Sequence, residues 1–294
     1  MPQPSRLFLL DASIYVFRAW FGYPDRYFDQ QGRPLNAVYG YLRTLLSNLD
    51  KAQPRYMVAA FDESLFSGFR HRLYPAYKAN RALPDEGLAY QLALCKLLTE
   101  KMGIKTLGSE DFEADDLLAW AAQTGVQEGL PVTVVTRDKD LAQLIGEDDQ
   151  LWDWAEGSVK DHAQLISHWQ VPLNSIPDLL ALAGDAVDNI PGIRGVGVKT
   201  ATQLIAHFDC LENLYGRLNE IASLPVRGAK RIQSALEGSE SDAFLYRELV
   251  RLHWPETPLD LEQMEVESMD REFLGPLFHE LGLGQAFHHL LEQF

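Results

Sequence analysis

The sequence is poor in the features that mark secreted and membrane proteins. Its 294 residues include two cysteines, Cys95 and Cys210, whose wide separation predicts neither a disulfide framework nor a zinc ribbon. No apolar run approaches the ~18 residues that a membrane helix needs. The apolar start is interrupted by Asp11, too early for a signal peptide. These absences favour a cytoplasmic protein without a membrane partner.

Basic residues are also scarce, with 26 Lys and Arg against 42 Asp and Glu and a net charge of −16. This total argues against nucleic-acid binding, which usually needs a basic patch. The charge is unevenly distributed, however. Residues 1–108 and 190–235 are net positive by 5 and 3, whereas residues 109–189 and 236–294 are net negative by 14 and 10. An acidic block is usually a solvated surface, so the arrangement of its carboxylates decides its meaning.

The first half alternates short apolar runs with helical periodicity, which predicts a mostly parallel sheet with helices on both faces. From about residue 175 the pattern is helical throughout. We therefore expect an α/β core over 1–174, a helical region over 175–255 and an acidic C-terminal segment over 256–294 that packs on the core. The predicted strands cover 7–10, 56–61, 104–107 and 131–136, and the predicted helices of the core cover 36–50, 85–101 and 113–124.

Acidic residues stand at the C-terminal ends of three predicted strands, which share one rim in a parallel sheet. A single Asp after a strand is usually a turn or capping residue. Converging carboxylates, however, repel by about 4 kcal/mol per pair at 4 Å and a dielectric of 20. Oxygen-only ligands then favour two or more Mg²⁺ ions, with Mn²⁺ as a substitute. The candidate ligands are Asp11, Asp62, Glu113, Asp115, Asp116, Asp138, Asp140, Asp185 and Asp188.

Residues 67–83 combine cations with aromatic rings. Lys78 and Arg81 are three residues apart, so one helix face can present both. One interpretation is an exposed basic helix. Beside a carboxylate cluster, the segment fits single-stranded nucleic acid better, because cations follow phosphates and rings stack on bases.

Residues 191–201 join two helical patterns through Gly192, Gly195 and Gly197. Glycines let the backbone approach a phosphate closely, and a helix beginning near Val198 would point its amides at that anion. Lys199 adds a charge contact. The alternative is an ordinary glycine-rich turn between helices.

Seven strings together carry a family resemblance, from about Arg6 to residue 255. The sequence resembles the 5′ nuclease family: the 5′→3′ exonuclease domain of bacterial DNA polymerase I, phage 5′ exonucleases and, more distantly, flap endonucleases. The chain ends where a polymerase I would continue, which predicts a stand-alone bacterial member. The strings are LLDASIYVFRA, AVYG, AAFDES, FRHRLYPAYKANR, FEADDLLA, VTRDKDLAQL and LAGDAVDNIPGIRGVGVKTA.

The resemblance implies a PIN-like α/β core, a helical arch at about 64–83 that admits a 5′ single strand, and a helix–three-turn–helix motif at 191–201 that grips duplex DNA and often binds K⁺. It divides the nine acids into two metal sites. The first takes Asp11, Asp62, Glu113, Asp115 and Asp116, and the second takes Asp138, Asp140, Asp185 and Asp188.

The resemblance also assigns residues that contact DNA. Lys78 and Arg81 would contact the scissile phosphate. Phe17 would stack on a base, unless it is a core aromatic. The further expected DNA contacts are Arg18, Arg70, Tyr77 (packing the arch or lining its channel), Gly192, Gly195, Gly197, Lys199 and Thr200. Arg137 departs from the family pattern beside the metal ligands.

These observations predict a Mg²⁺-dependent, structure-specific 5′ nuclease, both exonuclease and flap endonuclease, acting on DNA with a 5′ flap or end during replication or repair. RNA annealed to DNA is a further expected substrate. One alternative is a catalytically silent module that holds flaps, against which the complete ligand set argues. The other is a PIN-like ribonuclease, which typically lacks the glycine hairpin.

Overall fold

The computed structural model describes residues 5–64, 67–81, 84–283 and 287. Residues 65–66 and 82–83, at the two ends of the predicted arch, lie outside the described residues. So do residues 1–4 and, in the acidic C-terminal segment, residues 284–286 and 288–294.

The first half of the chain is built on a six-stranded sheet. Its strands are β1 (Leu7–Asp11), β2 (Tyr56–Ala60), β3 (Lys105–Leu107), β4 (Val132–Val135), β5 (Gln150–Asp153) and β6 (Ser158–Asp161). They lie in the order β3-β2-β1-β4-β5-β6, and all pairs are parallel except β5 with β6. The predicted α/β class is confirmed. The β5–β6 hairpin was not predicted, because its strands are short and partly polar.

Alternate residues of the central strands enter two different cores. Leu7 and Leu9 of β1 face one core, whereas Phe8 and Leu10 face the other. Successive side chains of β1 thus point to opposite faces of the sheet, and every residue of the strand is buried. This is expected for a strand that is covered on both faces. The two cores hold the sheet between helical layers, and the carboxyl ends of its strands remain at one rim.

Helices cover both faces of the sheet and make up the second half. The helices α1, α2, α4 and α12 pack on one core, and α5, α7, α8 and α10 pack on the other. No helix of the described residues is long and apolar enough to cross a membrane. The α-helices are α1 (Ala12–Gly22), α2 (Asn36–Ala52), α3 (Phe69–Leu73), α4 (Glu86–Lys101), α5 (Ala114–Gln127), α6 (His162–Trp169), α7 (Ile176–Ala183), α8 (Val198–Phe208), α9 (Leu211–Gly216), α10 (Ala229–Glu237), α11 (Glu240–Val250) and α12 (Arg271–Glu280).

The acidic C-terminal segment packs on the core, as predicted. The backbone N–H of Val266 donates to the carbonyl of Arg55 at 2.8 Å, beside the start of β2. Farther along, Leu274 and Phe278 of α12 are buried in the core shared with α4. The acids of α12, Glu272 and Glu280, are exposed on a helix that is anchored by its apolar face.

Candidate nucleic-acid-cleaving site

The carboxyl ends of β1, β2 and β4 carry Asp11, Asp62 and Asp138 to one rim of the sheet. Asp11 is the last residue of β1 and caps α1, and its Oδ2 accepts a hydrogen bond from Thr136 Oγ1 at 2.8 Å. Six of the nine predicted ligands line one pocket at this rim. They are Glu113, Asp115, Asp138, Asp140, Asp185 and Asp188.

Five carboxylates of the rim carry little compensating positive charge; we call them the open carboxylates. Burial raises the pKa of Asp11 to about 7 and that of Asp140 to about 8, and in both cases Asp138 adds repulsion. Burial, followed by repulsion from Asp138 and Asp11, raises the pKa of Asp115 well above its usual range. The open carboxylates are Asp11, Asp62, Asp115, Asp138 and Asp140.

The open carboxylates fit a hard divalent cation by their donor chemistry. Their oxygens are the ligands that Mg²⁺ and Mn²⁺ prefer. The Asp140 Oδ1 atom is buried and has no hydrogen-bond partner. In the described residues, no group of three or more acidic, histidine or cysteine side chains is already arranged to hold an ion. Binding would therefore require these side chains to rotate toward a common centre.

Three other carboxylates of the rim are neutralised by cations; we call them the paired carboxylates, Glu113, Asp116 and Asp188. Lys78 Nζ lies 2.8 Å from Glu113 Oε2, and Arg81 Nη2 lies 2.5 Å from Asp188 Oδ1. Burial alone would raise the pKa of Glu113, but the two cations Lys78 and Arg70 outweigh it and lower the pKa to about 2.

Asp116 was predicted as a metal ligand, and the structure places it beside a cation instead of in the open group. Its side chain is fully buried and faces the Arg70 guanidinium, with Nη1–Oδ2 and Nη2–Oδ1 distances of 2.5 and 2.7 Å. The backbone N–H groups of Glu113 and His253 donate to the same carboxylate at 3.0 and 2.9 Å. Both oxygens of Asp116 are thus engaged by protein donors in this structure.

Arg70 was predicted to contact DNA but is buried, and Tyr77, predicted to pack the arch or line its channel, is buried as well. Arg70 is 3% exposed and also donates to the carbonyls of Leu249 and Arg251. It therefore joins the start of the arch segment to the end of α11. Tyr77 is 2% exposed, and its hydroxyl donates to Glu113 Oε2 at 3.0 Å. Burial raises the pKa of this phenol well above its usual range.

Lys78 and Arg81 do not share a helix face. The arch segment contains the five-residue α3 and then a series of turns through residue 80, in which Lys78 has a φ of 52°. The Lys78 N–H donates to the Asp188 carbonyl at 2.9 Å, and Asn80 Nδ2 donates to Ala186 O at 3.0 Å. The segment is therefore docked on the loop that carries Asp185 and Asp188, and this contact sets the positions of both cations.

The three glycines of residues 191–201 differ in their surroundings. Gly192 has a φ of 66°, and an added Cβ would lie 2.3 Å from the Gly184 nitrogen, so the close packing of the backbone at this point requires glycine. Gly195, with a φ of 88°, and Gly197 face open space. Gly197 is the N-cap of α8, which begins at Val198 as predicted.

Lys199 is exposed in the first turn of α8, and Thr200, whose N–H donates to the Gly197 carbonyl, is partly exposed. Arg18 is exposed on α1. Phe17 is partly buried and packs against one core with part of its ring. Arg137 turns away from the pocket, with Nε 3.1 Å from Asp153 Oδ2.

Sequence reasoning missed the partners that hold the rim in place. Thr136 positions Asp11, and the Leu249 carbonyl and His253 N–H hold Arg70 and Asp116. Asp116 and His253 are 137 residues apart, and backbone groups leave no signal in side-chain identity.

Comparison with known proteins now identifies the family. Residues 6–170 match the model "5'-3' exonuclease, N-terminal resolvase-like domain", and residues 171–272 match "5'-3' exonuclease, C-terminal SAM fold". The chain belongs to the 5′-3′ exonuclease family. The predicted family resemblance is thereby confirmed.

The chain matches relatives of about its own length and relatives that are much longer. It is 30% identical over 268 residues to a 5′-3′ exonuclease of Buchnera aphidicola subsp. Schizaphis graminum, covering 90% of this chain and 93% of that one. It is 36% identical over 269 residues to DNA polymerase I of Rhizobium leguminosarum, covering 89% of this chain and 26% of that one. The chain thus spans about a quarter of the polymerase relative.

Solved structures share the fold. The T5 D15 protein co-crystallised with metal ions matches with a TM-score of 0.68 and 21% identity, covering 83% of this chain and 89% of that one. The catalytic core of Rad2 in complex with a DNA substrate matches with a TM-score of 0.65 and 17% identity, covering 98% and 92%.

Proposed function

We propose that this 5′ nuclease hydrolyses DNA phosphodiesters at 5′ flaps and 5′ ends, with Mg²⁺ as its ion. The observation that carries the proposal is the set of open carboxylates, which lie together at one rim and whose pKa values are raised by burial first and then by repulsion between acids. Among the structural relatives, a T5 D15 flap endonuclease was crystallised with DNA and metal ions. Bound divalent ions would activate water and neutralise the charge that develops on the phosphate.

The protein's own groups would position the phosphate. Lys78 and Arg81 hold Glu113 and Asp188 in the described structure, at the edge of the acidic pocket. An arriving phosphate offers these cations an alternative anionic partner, and charge-assisted contacts of this kind stabilise a developing negative charge. Arg70 keeps Asp116 away from the ions and so fixes the first turn of α5, which carries Asp115.

The rest of the substrate would lie along the basic parts of the molecule. We assign the exposed Gly195 and Gly197, with Lys199, Thr200 and a K⁺ site, to the duplex, and Phe17 and Arg18 to DNA near the cut. RNA annealed to DNA carries the same phosphate groups and is therefore a further proposed substrate. DNA polymerase I relatives suggest replication and repair as the setting and the cytoplasm as the location. The boundaries 1–174, 175–255 and 256–294 remain predictions.

Cleavage of a 5′-labelled flap duplex tests this function. We expect cutting near the flap junction in Mg²⁺, reduced cutting of the same duplex without a flap, and none in EDTA. Tight binding of the flap without cutting in Mg²⁺ or Mn²⁺ would contradict the proposal and favour a silent flap-holding module. Equal cutting in EDTA would contradict the assignment of the ions.

A further inference from the structure

Two asparagines join the arch segment to the loop that follows α7. Asn189 of the loop donates a hydrogen bond from Nδ2 to the Ala76 carbonyl of the arch segment at 2.6 Å. In the opposite direction, Asn80 of the arch segment donates from Nδ2 to the Ala186 carbonyl of the loop at 3.0 Å. The two bonds thus lie on either side of Lys78 along the chain, and each segment supplies one amide to the backbone of the other.

Between these bonds, the backbone of Lys78 is itself held by the loop. Its N–H donates to the Asp188 carbonyl at 2.9 Å, and its φ of 52° lies in the left-handed region. A residue with a side chain seldom adopts this conformation unless its surroundings impose it. In this conformation the Lys78 Nζ atom lies 2.8 Å from Glu113 Oε2, at the edge of the acidic pocket. The position of the ammonium group therefore depends on how the arch segment is docked.

The loop is a firm support for the arch segment because it is closed on itself and anchored. The N–H of Asp185 donates to the Ile190 carbonyl at 2.9 Å, and the N–H of Ile190 donates back to the Asp185 carbonyl at 2.7 Å. The Ile190 side chain is buried in a small apolar cluster with Tyr77 and Leu249. Displacing the arch segment from this loop would therefore also open an apolar contact.

We propose that Asn80 and Asn189 are positioning residues for Lys78 in DNA cleavage. This inference rests on the proposed nuclease function, in which the Lys78 ammonium group contacts the phosphate. Both amides bind backbone carbonyls, so they would act through the backbone of the arch segment and not by contact with substrate. A cation that is already in place stabilises developing charge without the cost of reorganising. Both asparagines are exposed, so water can replace a lost hydrogen bond and each contribution should be modest.

Asn189→Gly tests this role, with Gln53→Gly as the matched control. Asn189 has a φ of 57°, which glycine adopts readily, so the substitution removes the amide without straining the backbone. Gln53 is also exposed, has a φ of 44° and donates its side-chain amide to the Asp50 carbonyl at 3.1 Å. It precedes β2 and so lies at the opposite end of the sheet from the rim. We expect Asn189→Gly to lower the single-turnover rate of flap cleavage about fivefold and to change the Kd for the flap duplex by less than about twofold.

The same substitution in a Lys78→Ala background separates positioning from general structural support. If Asn189 acts through Lys78, Asn189→Gly should slow the Lys78→Ala variant by less than about twofold. A merely structural role would give the full loss in both backgrounds. Asn80→Ala should reproduce both results, and it provides an independent test if Asn189→Gly fails to fold.

Three results would overturn the positioning role. The first is an Asn189→Gly variant that cuts as fast as Gln53→Gly, and the second is an equal loss of rate with and without Lys78. The third is a loss of affinity for the flap duplex large enough to account for the loss of rate. Failure of the wild type to cut the flap duplex in Mg²⁺ is a different result, because it would contradict the proposed function itself.

Discussion

Asp115 and Asp116 are neighbours in the sequence, but they belong to regions of the rim with opposite electrostatics. Asp115 lies among the open carboxylates, where burial and repulsion raise its pKa. Asp116 is one of the paired carboxylates and meets the Arg70 guanidinium with both oxygens. An acidic motif can thus contain both carboxylates without a cationic partner and carboxylates whose charge is already neutralised by the protein. Only the environment distinguishes them.

The largest expected effect comes from removing an open carboxylate. Asp115→Asn should lower the single-turnover rate of flap cleavage by about three orders of magnitude. The reason is that the ion held by this carboxylate would stabilise the charge that develops in the transition state by several kcal/mol. The control is Asp148→Asn, an exposed aspartate in the loop before β5, at the other end of the sheet. An Asp115→Asn variant that cuts as fast as this control would remove Asp115 from the site.

The second effect concerns the Arg70–Asp116 pair. Arg70→Gln should lower the free energy of unfolding by about 3–5 kcal/mol, because it leaves the buried Asp116 charge without a partner. The double variant Arg70→Gln/Asp116→Asn should regain part of that loss, since no unpaired charge remains. Urea unfolding measures both.

The surface pair Arg72–Asp111 in the same segment provides the control. Its side chains are 62% and 47% exposed, so Arg72→Gln should lower the free energy of unfolding by less than about 1 kcal/mol. Two results would show that Arg70 does not compensate the buried charge of Asp116. One is an equal loss of unfolding free energy in Arg70→Gln and Arg72→Gln. The other is a double variant that is no more stable than Arg70→Gln.

The third effect concerns Lys78, which neutralises Glu113 in this structure and which we propose contacts the arriving phosphate. Lys78→Ala should slow single-turnover cleavage by about 10²-fold while changing the Kd for flap DNA much less, because the cation acts on developing charge. Lys101→Ala is the control, since it removes a half-buried lysine that is paired with Asp270 near the C-terminal segment, away from the rim. Equal losses in rate and in affinity would show that Lys78 only binds substrate.

The last prediction concerns the direction in which stability without metal changes with pH. The pKa values of Asp11 and Asp140 are raised to about 7 and 8, so the folded state holds these protons more tightly than the unfolded state does. Stability should therefore fall as pH rises from about 4 to 8.

Thermal unfolding of EDTA-treated protein measures this slope. Asp140→Asn should flatten it, and Mg²⁺ should remove it, because a cation stabilises the ionised carboxylates at the upper end of the range. A transition temperature that rises with pH over the same range in EDTA would contradict the account of the open carboxylates.

Much of the fold could be predicted because its signals are local. The buried parallel strands β1, β2 and β4 are apolar runs in the sequence, and the acids at their C-terminal ends predict a shared rim. The β5–β6 hairpin gave no such signal, because SVKD at Ser158–Asp161 is mostly exposed and polar. The roles of Arg70 and Asp116 depend on contacts 46 residues apart and on backbone groups near residue 250. No sequence pattern separates a buried arginine of this kind from one that faces DNA.

The most direct test of the account is a count of Mn²⁺ ions bound per chain, by electron paramagnetic resonance, in three proteins. The wild type, Asp115→Asn and Arg70→Gln/Asp116→Asn should be compared at one pH after folding has been verified. The account predicts that the double variant binds as many ions as the wild type, whereas Asp115→Asn binds at least one fewer. Loss of an ion from the double variant with full binding by Asp115→Asn would contradict the division of the rim into open and paired carboxylates.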